Sequence, residues 1–311
     1  MKRKTVIRVY GPVPSRRLGY SLGVDILPFK TCTLDCVYCQ LGPTTNLTAE
    51  RKKFMDCLPI LEQIRDSIDS KKRIDYITFS GSGEPTLNTE LKKCIRHIKS
   101  FTDIPVAVLT NATLLGRASV RKALIEADLV VPSLDAAEQS VFEKTNRPHP
   151  SLRIKEIILG LEKFREIFKG KIWLEVMLVK GFNDSPEHVK KLKEAVEKIC
   201  PDKVQLNTVV RPPAEETARP LNREELESIC RQWGDLCEVI ADFKKLRQKV
   251  LSIDITSEVL AMVRRRPVTL DDLSVSLGKH KNEIIKHLNA LLDDKKIKTR
   301  EHKGNTYYEP V

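Results

Sequence analysis

Cys32-Thr33-Leu34-Asp35-Cys36-Val37-Tyr38-Cys39 sets three cysteines at the spacing C-x3-C-x2-C. A loop of this length can bring three thiolates around one face of a cubane iron–sulfur cluster. Four cysteines saturate every iron of such a cluster. Three leave one iron with open positions where a ligand can bind and react, as in an open catalytic metal site. The competing reading is a zinc site completed from a distance, for example by His149. Zinc cysteines usually come as paired C-x2-C units, so the spacing favours a [4Fe–4S] cluster.

Outward from this segment, short apolar runs alternate with longer amphipathic ones. Candidate strands are Leu22–Leu27, Ile74–Phe79, Val106–Leu109, Leu129–Leu134, Ile172–Val179 and Lys203–Asn207, and Cys237–Phe243 can add one at the edge. Candidate helices are Phe54–Ile68, Thr89–Ile98, Arg117–Ala127, Leu152–Phe168, Pro186–Ile199 and Arg223–Trp233. The alternation predicts parallel β–α units, an α/β fold built as a partial (β/α)6 barrel or a doubly wound sheet. Glycine and polar residues gather after the strand ends, the rim where such sheets build their sites. Met1–Tyr10 reads as a further short strand.

The bulk chemistry agrees. No run of eighteen apolar residues is present to span a membrane, and the N-terminus lacks the apolar stretch of a signal peptide. A cytoplasmic protein with reduced thiols is expected, so eight cysteines point to metal or redox chemistry rather than a disulfide framework. Of the net charge of +12, half lies in residues 1–60, around the cysteines, which suggests an anionic partner. Cys57 and Cys94 fall within helical patterns and read as buried small apolar residues.

With an aromatic, Tyr38, just before the last cysteine, the segment resembles the radical S-adenosylmethionine (SAM) superfamily over roughly residues 10–243. The resemblance implies a partial barrel of radical SAM type. It implies that Cys32, Cys36 and Cys39 hold three irons and that the fourth chelates the amino and carboxylate groups of SAM. One-electron reduction, from a partner such as flavodoxin or ferredoxin, would cleave the sulfonium to a 5′-deoxyadenosyl radical that abstracts hydrogen from a substrate. This is oxidoreductase-type chemistry. Gly81-Ser82-Gly83-Glu84-Pro85 resembles the glycine–glutamate–proline turn that receives the methionine amino group, its glycines letting the backbone approach the ligand. Thr110–Asn111 and Ser133-Leu134-Asp135 resemble positions that contact the ribose and carboxylate. Glu175 and Asn207 are further candidates, and the backbone of Val209–Arg211 would flank the adenine.

Tyr10-Gly11-Pro12-Val13-Pro14-Ser15-Arg16-Arg17-Leu18-Gly19, with Ser21-Leu22-Gly23-Val24-Asp25, Val37–Gln40 and Leu206–Asn207, resembles the branch of the wyosine-base synthases, which modify transfer RNA. Arg16 and Arg17 could then grip phosphate; the plainer reading is that they anchor the N-terminal segment by salt bridges. Those synthases carry further cysteines before the radical motif, and no cysteine precedes Cys32 here.

Residues 244–254 read as a linker between a barrel over 1–243 and a small domain over 255–311. There Ser257–Arg265, Thr269–Ser276 and Lys281–Leu292 read as helices, and Lys296–Arg300 and Thr306–Glu309 as a hairpin about Lys303-Gly304-Asn305. This is the plan of a winged helix, with Lys281, Lys286, Lys298, Arg300 and Lys303 available to nucleic acid. The barrel is expected to fold without it. Two functions follow as alternatives: a radical SAM enzyme whose substrate includes tRNA among the candidates, or an iron–sulfur redox sensor that regulates transcription through the winged helix. A sensor has no need of the turn at Gly81–Pro85.

Overall fold

The computed structural model describes residues 8–15, 17–70, 72–241, 255–279 and 281–311, without the side chains of residues 282, 283 and 286. Most of the expected first strand, Arg16, the linker 244–254 and the Lys286 side chain therefore lie outside the described residues.

β1 (Val9–Ser15) and β2 (Gly19–Val24) form an antiparallel pair. The two-residue strands β3 (Thr31–Cys32) and β4 (Asn46–Leu47) pair with each other in the cysteine loop. From β2 the main sheet runs parallel through β5 (Tyr76–Phe79), β6 (Val106–Thr110), β7 (Leu129–Pro132), β8 (Lys171–Lys180) and β9 (Lys203–Thr208). A short β10 (Arg219–Pro220) flanks β8, and β11 (Cys237–Val239) extends the sheet in parallel beside β9. The order β1-β2-β5-β6-β7-β8-β9-β11 leaves β1 and β11 as separate edges, so the barrel is open on one side. All six expected core strands and the expected edge strand are present.

Helices α1 (Leu58–Asp69), α2 (Leu91–Lys99), α3 (Ala118–Leu124), α4 (Gln139–Asn146), α5 (Ile154–Ile167), α6 (Pro186–Ile199) and α7 (Arg223–Trp233) connect the strands. α6 begins as its sequence predicts, with the Ser185 hydroxyl accepting from the His188 amide and a proline in the first turn. Ile172, Leu174, Val176 and Leu178 of β8 alternate inward and are fully buried, each contributing roughly 1.5–3 kcal/mol. Together with the inward faces of α1, α2 and α5 they form the continuous core on which the strand ends are held. Cys57 and Cys94 lie in it, fully buried, as expected.

The C-terminal segment forms α8 (Ile255–Val263), β12 (Val268–Thr269), α9 (Leu270–Leu277), α10 (Lys281–Asp293), β13 (Ile297–His302) and β14 (Asn305–Pro310). Its helices share an apolar core that includes Val259, Val263, Leu273, Ile284 and Leu288. The sequence plan lacked only β12, which pairs with β14 as a third strand. The hairpin turns at Lys303 and Gly304, both at positive φ, 49° and 72°, the backbone that a tight two-residue turn requires.

This unit is seated across the open side of the barrel. α8 and α9 pack on β1, and Val13 joins the unit's core. At the other edge, the Tyr307 hydroxyl donates to the Val210 carbonyl at 3.2 Å and Asp272 faces Arg211 at 3.6 Å.

Candidate active site

The cysteine loop follows β2 and is pinned from beneath by the end of α4. The Asp35 amide donates to the Asn146 carbonyl at 3.0 Å and the Val37 amide to the Thr145 carbonyl at 3.0 Å. Each thiol then receives one N–H donor. Asn111 Nδ2 lies 3.5 Å from Cys32 Sγ, Asn146 Nδ2 lies 3.4 Å from Cys36 Sγ, and Lys30 Nζ lies 3.1 Å from Cys39 Sγ. Burial, then the charge of Glu84, pushes the Cys32 thiol up to about 12. Burial and the charge of Asp135 raise Cys36 well above the usual thiol range. Thiols so held are poor anions by themselves and become thiolates when a metal replaces the proton.

No three His, Cys, Asp or Glu side chains among the described residues close on a single-ion site. His149 Nδ1 meets Ser151 Oγ at 2.9 Å, and the ring joins no such group with the cysteines. Three partly exposed free thiols, each with its own N–H donor, fit a cubane, in which each sulfur meets a different iron.

The turn Gly81–Pro85 lies against this loop. Lys30 N donates to Ser82 O at 2.6 Å and Glu84 N to Thr31 O at 3.1 Å. A Cβ at Gly83 would stand 1.8 Å from the Thr31 carbonyl oxygen. The close neighbour that demands glycine here is thus the cysteine loop itself, which corrects the expectation that a ligand's approach alone explains it. Glu84 is buried and its carboxylate is fully engaged. Oε1 accepts from the Thr86 amide (3.0 Å), the Thr86 hydroxyl (2.6 Å) and the Thr110 hydroxyl (2.7 Å), and Oε2 accepts from the Asn111 amide (2.7 Å). Burial raises its pKa against those hydrogen bonds. It ties the ends of β5 and β6 together and fixes Asn111, which in turn bonds Thr33 Oγ1 at 2.7 Å.

A cavity of about 360 Å³ opens over Cys32 and Cys36. Of the residues expected at the site, Cys32, Cys36, Tyr38, Gly81, Gly83, Glu84, Asn111, Ser133 and Arg17 line it. Cys39, Ser82, Pro85, Asp135, Glu175 and Asn207 are not among its lining residues. Asp135 in particular is a bracket: Oδ1 accepts from the Met177 amide at 2.9 Å, and Oδ2 accepts from Asn146 at 2.8 Å and from the Tyr38 hydroxyl. Burial lifts its pKa to about 6. Its carboxylate therefore holds Tyr38 and α4 in place, where a contact to SAM was expected. Glu175 likewise bonds within the protein, to Arg17 at 2.6 Å and Asn207 at 2.8 Å. Arg17 is accordingly the anchor that its plainer reading foresaw.

Sequence reasoning missed Lys30, Asn146 and three residues of the C-terminal unit that reach the cavity: Met262, Arg265 and Arg266. Lys30 carried a faint signal, a lysine two residues before the first cysteine. Asn146 carried none. A larger cavity of about 990 Å³ lies beside β9, β11 and α7. Of the residues singled out in the sequence it takes in Val209 and Val210, expected beside the adenine, and Lys303 of the hairpin.

The superfamily described as Radical SAM matches residues 26–194, more than half of the chain, and the chain belongs to it. Its cofactors are those of that superfamily, a [4Fe–4S] cluster and SAM. Within it the chain falls in the UPF0026 family. It is 32% identical over 306 residues to a UPF0026 protein of Methanocaldococcus jannaschii, covering 96% of this chain and 94% of that one. A protein of Brachyspira hyodysenteriae named GTPase Obg is 39% identical over 94% of the chain, which spans only 43% of that relative's length. A dual-specificity RNA methyltransferase RlmN of Lawsonia intracellularis is 30% identical over 59% of this chain and 52% of its own. Among solved structures, Streptococcus suis SuiB bound to S-adenosylmethionine superposes with a TM-score of 0.54 at 16% identity, over 71% of this chain and 50% of that one, a likeness of fold. No helix among the described residues is long and apolar enough to cross a membrane.

Proposed function

We propose that the protein is a radical SAM enzyme acting on RNA, in which Cys32, Cys36 and Cys39 each hold one iron of the cluster. The observation that carries the enzyme reading is that Cys32 and Cys36 meet Gly81, Gly83 and Glu84 at one cavity, with Cys39 beside them in the same loop. A transcriptional sensor would have no use for that turn. When bound and reduced by an external one-electron donor such as flavodoxin or ferredoxin, the cluster and SAM supply a radical able to abstract hydrogen from an unreactive carbon. The protein's own residues hold the chamber. Asn111, Asn146 and Lys30 direct N–H groups at the three sulfurs, a means of tuning potential. Glu84 and Asp135 lock the loops, and the turn at Gly81–Gly83 presents backbone to the methionine end of SAM. The C-terminal unit excludes water from the open side of the barrel.

RNA as the substrate is supported by the RNA methyltransferase relative and by the basic first sixty residues. A C-terminal unit of three helices and three strands that we read as a winged helix adds to this. Anaerobic titration with bulk tRNA at several salt concentrations tests it. Affinity should fall steeply with salt as lysine and arginine displace counterions, and tRNA from a strain lacking the protein should gain a modified nucleoside on incubation with enzyme, SAM and reductant. Absence of binding at low salt together with unchanged tRNA would remove RNA and leave a small anionic metabolite or a protein as substrate.

A further inference from the structure

The C-terminal unit does more than cover the barrel. Just past the end of α8, Arg265 reaches back 240 residues in sequence to Asp25, which follows β2, with Nη1 3.1 Å from Oδ2. Both side chains are nearly closed to solvent, at 11% and 5% exposed. The guanidinium also lies on the face of Tyr10, 3.6 Å from the ring centroid, a favourable cation–π placement. That ring is seated on Gly23, where a Cβ would come within 2.0 Å of it, and its hydroxyl meets Ser80 Oγ at 3.0 Å.

Asp25 is the buttress of the glycine turn. The same Oδ2 accepts from Ser82 Oγ at 2.6 Å, and Oδ1 accepts from the Leu27 amide at 3.2 Å. Gly81 lies flat against the carboxylate, with φ +126° and a would-be Cβ 2.9 Å from Asp25 Cγ. The turn therefore takes its position from a buried anion, and its cation at hydrogen-bond distance comes from the C-terminal unit. A buried carboxylate deprived of such a partner is costly, and it either swings toward water or draws in another donor. Either response disturbs Ser82, whose carbonyl also receives the Lys30 amide at 2.6 Å.

We propose that Arg265 is a positioning residue for SAM: through Asp25 it sets the Gly81–Pro85 turn, so that seating of the C-terminal unit and affinity for SAM are one linked event. This rests on the reading of that turn as the SAM-binding element. It makes the unit a part of the cofactor chamber, in contrast to a domain merely tethered to a finished enzyme. By linkage, SAM should in turn tighten the unit on the barrel.

The test uses the full chain, reconstituted anaerobically, with iron content and the dissociation constant of radiolabelled SAM measured by equilibrium dialysis. Arg265→Ala should keep its iron and bind SAM about 5- to 150-fold more weakly, the range of ordinary coupling energies. Arg265→Lys keeps the charge and should lie between Arg265→Ala and wild type. Adding Asp25→Asn to Arg265→Ala should recover part of the affinity, because the uncompensated anion is gone while an amide oxygen remains for Ser82. SAM affinity within twofold of wild type in Arg265→Ala would overturn the proposal. So would loss of iron in that variant, because the contact would then serve barrel integrity at large. Failure of the wild type itself to bind SAM would instead overturn the assignment of the turn.

Discussion

Gly83→Ala adds one methyl group at the point where the two loops of the site touch. Its Cβ would lie 1.8 Å from the Thr31 carbonyl oxygen and 2.8 Å from the Thr31 carbonyl carbon, and both are backbone atoms that cannot rotate away. Contacts of that kind open to at least 3.0 Å in real proteins, so the strand carrying Thr31 must retreat by roughly 1.2 Å through a close-packed wall. The retreat stretches the Glu84 N to Thr31 O and Lys30 N to Ser82 O hydrogen bonds, at 3.1 and 2.6 Å, each of which stabilises by about 1 kcal/mol. Forcing a methyl group into a filled space adds about 1–3 kcal/mol. A loss of about 3–5 kcal/mol follows, visible as a Tm roughly 5–8 °C lower. Because Cys32 follows Thr31 directly, the same movement displaces a thiol, and the variant should retain little iron after anaerobic reconstitution. Gly42→Ala is the control. Nothing lies within 4 Å of its Cβ, and its cost is limited to the strain of φ +78°, about 1–2 kcal/mol, with iron retained. A Gly83→Ala protein with wild-type Tm and full iron would refute the packing of these two loops.

Other consequences can be measured alongside. Cys32→Ala, Cys36→Ala and Cys39→Ala should each lose the cluster, whereas Cys57→Ala and Cys94→Ala, buried in the core, should keep full iron; iron and sulfide assays decide. Lys30→Met removes a cation 3.1 Å from Cys39 Sγ while keeping most of the side chain's bulk. A charge at about 5 Å in an effective dielectric of about 20 is worth about 3 kcal/mol, so the cluster's midpoint potential should fall by on the order of 100 mV, and an unchanged potential in spectroelectrochemical titration would remove Lys30 from that role. Arg17→Ala or Glu175→Gln should each lower stability by about 2–4 kcal/mol by stranding the partner of a mostly buried pair. The double variant should cost less than the sum of the two, and strict additivity in calorimetry would count against the pairing.

The strands and helices that bury apolar residues at a regular period were legible in the sequence, down to the bounds of α6 and α7. α4 was not, because Gln139–Asn146 buries Thr145 and Asn146 beside only one large apolar side chain, Phe142. It exists to pin the cysteine loop, a role that leaves no hydrophobic period. β1 was hidden for another reason. Val9–Ser15 holds two prolines and a glycine, poor strand formers, and an edge strand with a register irregularity between Tyr10 and Val13 tolerates them. At the site, the three thiols and the glycine turn were visible because their spacing is local. The division of labour among the carboxylates was not. Glu84, Asp135 and Glu175 all looked like candidates for a ligand, and only the tertiary structure shows their oxygens already held by the protein. The meeting of Arg265 with Asp25 depends on how residues from opposite ends of the chain are seated, which no periodicity encodes.

The proposed redox site for SAM joins Cys32, Cys36 and Cys39 to the Gly81–Pro85 turn. It is tested most directly by chromatographic quantitation of 5′-deoxyadenosine after anaerobic reduction of the reconstituted protein with SAM. The wild type, with about four irons and four sulfides per chain, should release it, and Cys36→Ala should release none. No 5′-deoxyadenosine from protein of full iron content, or stoichiometric zinc without labile sulfide, would contradict it.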